Sequence, residues 1–185
     1  MDVLGREIER ASELASEYAA SGDEVSGVIP TEPVPGSRIY VCSFDGADGL
    51  RSWLAVRGDG SPVTVRSELR GAVSVAALCE LAADAAGGGD VDALIERLEE
   101  LRRAEAPPGI EGAEEAARAL RAVVGDPPRL ATPERLDAIG TASRRLELEL
   151  DPTAASPFAA TLRGAEAAVA ELQREIEAGY RLPLT

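Results

Sequence analysis

The residues from Arg38 to Ala86 constrain the fold of this chain more than any other stretch. They open on Arg-Ile-Tyr-Val-Cys-Ser-Phe, turn, continue as Arg-Ser-Trp-Leu-Ala-Val, turn again, and reach Pro-Val-Thr-Val. A long apolar run follows and stops at Gly87-Gly88-Gly89. The stretch holds both cysteines, the only tryptophan and three of the six aromatic residues. Residues 38–44 and 51–57 are rich in β-branched and aromatic side chains, which suit a pleated, packed surface. Asp45-Gly46-Ala47-Asp48-Gly49 between them is turn chemistry: glycine supplies positive φ and aspartate bonds its own backbone. Gly58-Asp59-Gly60-Ser61 is a second turn leading to a short strand at 62–66. The pattern predicts a three-stranded antiparallel meander. Ile39 and Val41 face one way, and Tyr40, Cys42 and Phe44 the other. Trp53 and Ala55 oppose Leu54 and Val56. Both faces are apolar, so the sheet is either covered on both sides or offers one face as an interface.

The run from Ala72 to Ala83 is apolar nearly all round, broken only by Ser74 and Glu80. A helix with that surface has to be buried. Ser67 as N-cap and Glu68 in the first turn place its start, and the prediction is a core helix over 67–86 against the meander.

Elsewhere the periodicity is helical. Leu4, Ile8, Ala11, Leu14, Ala15 and Tyr18 form one stripe over residues 2–20. Residues 22–37 carry Pro30, Pro33 and Pro35 and read as an extended, kinked connector that lies on something through Val25, Val28, Ile29 and Val34. Helices are predicted over 91–104, 111–124 and 133–150, the last opened by Thr132-Pro133. Ser156-Pro157 repeats that start signal for a sixth helix ending at Gly179, followed by a short tail over 181–185. The fold class is therefore helix-rich α+β: an N-terminal helix, a small antiparallel meander packed on a buried helix, then about four further α-helices. The division read from the sequence is an α+β core over 1–86 and a helical region over 90–185. The glycines at 87–89 serve as a linker or as a helix cap.

Composition excludes chemistry more sharply than it suggests any. All 19 cationic residues are Arg, His is absent, and neither Lys nor Asn occurs. Without His there is no His-based triad, no His-ligated metal and no imidazole shuttle. Without Lys there is no Schiff base and no P-loop lysine. The net charge of −14 and the interleaving of Arg with Glu argue against nucleic acid and against an anionic membrane surface. Two cysteines in 185 residues are no disulfide framework. With no apolar run of spanning length and no secretory signal after Met1, the expected setting is cytoplasmic. Aromatic residues make up 3% of the chain, so the core is built from Ala, Leu and Val, and such a core leans on close helix approach or on oligomerisation.

The carboxylates give the one metal lead. Glu111-x-x-Glu114 and Glu134-x-x-Asp137 each put two carboxylates a turn apart on one helix face, where they can chelate Mg²⁺. The arrangement resembles the Glu-x-x-Glu and Glu-x-x-Asp pairs of the all-α, MazG-like nucleoside triphosphate pyrophosphatases. That resemblance, over four residues, implies an Mg²⁺-dependent phosphohydrolase of a nucleotide-like small molecule. A solvated helix face with intrahelical Glu–Arg pairs explains the same spacing.

Other leads are smaller. Cys42 lies in sequence near Asp45 and Arg51, and arginine lowers a neighbouring thiol pKa; a buried structural thiol is the competing reading. Asp45, Asp48 and Asp59 in glycine turns hint at calcium but lack the spacing of a calcium loop. Tyr40, Phe44 and Trp53 are the candidate interface, an aromatic set on neighbouring strands. The favoured reading is a non-enzymatic interaction or assembly protein, self-associating or binding a protein partner through apolar sheet and helix faces. The Mg²⁺ phosphohydrolase is the alternative, and a small-molecule sensor is left open.

Overall fold

The computed structural model describes residues 3–19, 21–46, 49, 51–87, 90–105, 108–125, 129–150, 163–164, 167–172 and 174. In chain order the elements are α1 (Val3–Tyr18), β1 (Glu24–Val34), β2 (Ser37–Asp45), β3 (Arg51–Arg57), α2 (Arg66–Gly87), α3 (Asp90–Ala104), α4 (Ile110–Val124) and α5 (Pro133–Glu149). This is the expected helix-rich α+β class: an N-terminal helix, a three-stranded antiparallel sheet, then several helices. Residues 163–164, 167–172 and 174 are helical and fall inside the predicted sixth helix. Its start signal at Ser156-Pro157 and the tail over 181–185 lie outside the described residues, as do Gly88 and Gly89.

The meander is present, but one of its strands is not the one predicted. The sheet order is β1-β2-β3, so the third member precedes the other two in sequence. Residues 62–66 contribute a single bridge, Pro62 against Val56, and α2 begins at Arg66. The prolines of β1 had argued for a connector. They are accommodated because β1 is an edge strand, the place where proline costs no ladder bond. Pro30 pairs across from Tyr40, and its carbonyl points outward to accept the Ala131 N–H at 2.8 Å. Its missing N–H therefore also falls on the outer side. Pro33 lies where the register slips between Thr31 and Val34.

The outer edge of β1 is capped by a short parallel contact with Ala131. Ala131 O accepts from Glu32 N at 2.9 Å and from the buried Thr31 hydroxyl at 3.0 Å. Covering an edge in this way satisfies backbone groups that otherwise recruit another strand.

The chain forms two compact units, and the boundary falls within α2 after Ala77. The first unit contains α1, the sheet, the first half of α2 and residues 129–133. Its sheet is covered on both faces. Ile39, Val41 and Ala55 pack with Val63 and with Leu69, Ala72, Val73 and Ala76 of α2. Tyr40, Cys42, Phe44 and Val56 pack with Ala11 and Ala15 of α1. The alternation read from the sequence thus divides the side chains between the faces as predicted.

The elements of the second unit are helices. Its core joins Ala86 of α2, Val91 and Leu98 of α3, Ala113, Ala116, Ala117 and Leu120 of α4, and Ile139, Ala142 and Leu146 of α5. Alanines fill much of it, which lets helix backbones approach closely. Ion pairs join the helices at their rims: Arg121 to Asp92 at 2.9 Å, and Arg145 to Glu115 at 3.2 Å. These are exposed and add little stability.

Candidate functional site

The aromatic set predicted as an interface is split by the sheet. Tyr40 and Phe44 are buried in the cluster beneath α1. Trp53 pairs across from Ser43, so it points to the other face and lies half-buried at the margin of the α2 cluster with Ile29. The strand register decides this: Ser43 and Trp53 share one face, and Tyr40 with Val56 the other. Trp53 and Tyr40 therefore do not form one stacking platform.

The Tyr40 face is held under α1 by a polar clasp. The Tyr40 hydroxyl donates to the Glu7 carboxylate, and Arg38 Nη1 donates to the same oxygen at 3.3 Å. The Tyr40 hydrogen bond, followed by Arg38, holds Glu7 below the usual carboxylate range. Burial, and then the bond to Glu7, pushes Tyr40 up to about 12. Next along the strand, the Cys42 thiol donates to Ala11 O at 3.7 Å, and burial pushes it up to about 12. A thiol that stays protonated at neutral pH is not a nucleophile. Cys79 is buried as well.

The four carboxylates of the metal lead do not share an environment. Glu111, Glu134 and Asp137 are exposed. Glu114 is 2% exposed and is held by two guanidinium groups, Arg102 Nε at 3.3 Å and Arg118 Nη2 at 3.5 Å. Arg118 also reaches Glu99 at 3.0 Å, so the line Glu99–Arg118–Glu114–Arg102 joins α3 to α4. Arg102 approaches Oε1 at ion-pair distance without hydrogen-bond geometry. A cation at Glu114 competes with both arginines for the same oxygens. Among the described residues, no group of three or more His, Cys, Asp or Glu is arranged to hold a metal ion.

The sequence spacing sets Glu114 beside Glu111, and in the structure its charged partners are Arg102 and Arg118. It lies four residues after Ile110 and three before Ala117, inside the apolar stripe of α4, with Arg118 at i+4. An acid on the buried stripe with an arginine one turn on is the signal for a buried ion pair.

Asp59 braces its own turn. The Asp59 carboxylate accepts from Ser61 N at 2.9 Å and from the Ser61 hydroxyl at 2.7 Å, and these bonds hold it below its usual range. Arg57 makes a two-pronged pair with Glu68 at 2.6 and 2.9 Å, tying β3 to the first turn of α2. This pairing lowers the Glu68 pKa. Asp48 lies outside the described residues. No described helix is long and apolar enough to cross a membrane. Compared with protein-family models, curated proteins and solved structures, the chain matches none of them.

Proposed function

We propose that this chain is a non-enzymatic interaction or assembly protein that associates through apolar side chains exposed on its helices and at the end of its edge strand. The observation that supports the reading is the engagement of its reactive groups. Cys42 is a buried protonated thiol, Tyr40 is bonded to Glu7, Glu114 lies between Arg102 and Arg118, and Arg57 is paired with Glu68. Each contact joins two structural elements or two turns of one helix. A thiol raised by burial is a poor nucleophile, and carboxylates held low by a bonded partner, as at Glu7 and Glu68, are weak general bases.

The large apolar side chains left in solvent are consistent with association. Val34 is 62% exposed at the end of β1, and Leu148 is 83% exposed near the end of α5. Val65 and Leu101 are also exposed.

The test is hydrogen exchange on the full chain at two concentrations, one low micromolar and one about a hundredfold higher. Association predicts slower exchange at high concentration in the backbone around at least one of Val34, Val65, Leu101 and Leu148. Identical exchange at both concentrations contradicts self-association.

A further inference from the structure

We draw no further inference here: the strongest candidate, the surface of the helical unit where Leu101 of α3 and Leu148 of α5 stand in solvent, carries nothing because nothing in the structure shows what covers it.

Discussion

The Cys42 thiol donates to the carbonyl oxygen of Ala11 at 3.7 Å, joining the middle of β2 to the middle of α1. Burial at this contact raises the Cys42 pKa from an ordinary 9.0 to about 12. Tyr40, two residues earlier, rises from 10.0 to about 12 for the same first cause. A raised folded-state pKa favours the neutral form on folding. Its stabilising contribution is complete below the unfolded pKa and is lost as pH climbs towards the folded one. The urea midpoint is therefore predicted to hold steady up to about pH 9 and then fall between pH 9 and 12. Cys42→Ala should flatten the first part of that fall, leaving the part above pH 10 that belongs to Tyr40.

Glu7 gives the opposite sign. Its folded pKa lies below the ordinary 4.5, so its contribution is present above that pH and is lost as pH falls through the folded value. Denaturant midpoints measured from pH 6 to pH 3 should fall more steeply in the natural chain than in Glu7→Gln. Equal slopes would remove Glu7 from the account of how α1 is held.

Glu114 is a buried carboxyl group of the helical unit, and the arginines that hold it are about half exposed. Removing the carboxylate frees two guanidinium groups that can rehydrate, so the loss is smaller than for a fully buried pair. Glu114→Gln is predicted to cost about 1–3 kcal/mol, read from the denaturant midpoint. Glu114→Leu should recover part of that, because the position lies on the apolar stripe. If Mg²⁺ raises the thermal midpoint of the natural chain but not of Glu114→Gln, the structural reading of this residue is wrong.

Gly60 is held close to α1. Its φ is +88°, and a Cβ there would meet Leu14 Cδ1 at 2.6 Å. Gly60→Ala combines left-handed backbone strain with that contact and should cost about 1–3 kcal/mol. Gly36, also at positive φ but with open space around it, should cost only the backbone part.

Leu120 is fully buried in the helical core. Leu120→Ala leaves a cavity in a core where alanines of closely packed helices supply little side chain to refill it. We predict a loss of about 3–5 kcal/mol, towards the upper end for such substitutions.

Much of the fold was legible because it follows from period alone. The stripe of α4, the all-round apolar surface of α2 and the alternation in Ile39-Tyr40-Val41-Cys42 each carry their own burial. The β1 strand was not legible, since Pro30 and Pro33 oppose a strand locally. Their tolerance comes from the edge position and from Ala131, about a hundred residues later in the chain. The candidate site was read less well for a related reason. Tyr40, Phe44 and Trp53 lie close in sequence, but only the pairing of Ser43 with Trp53 shows that the sheet separates them. Glu111 and Glu114 share a spacing, yet one is in solvent and the other lies between two arginines. Spacing fixes which helix face a side chain takes, and tertiary packing decides what that face meets.

The most direct test of the account is the molar mass of the purified full chain by light scattering, with and without Mg²⁺. The account predicts a species heavier than the 19.3 kDa single chain at micromolar concentration, unchanged by the metal. A single-chain mass at every concentration, with a thermal midpoint that rises on adding Mg²⁺, would contradict it and favour the carboxylate reading.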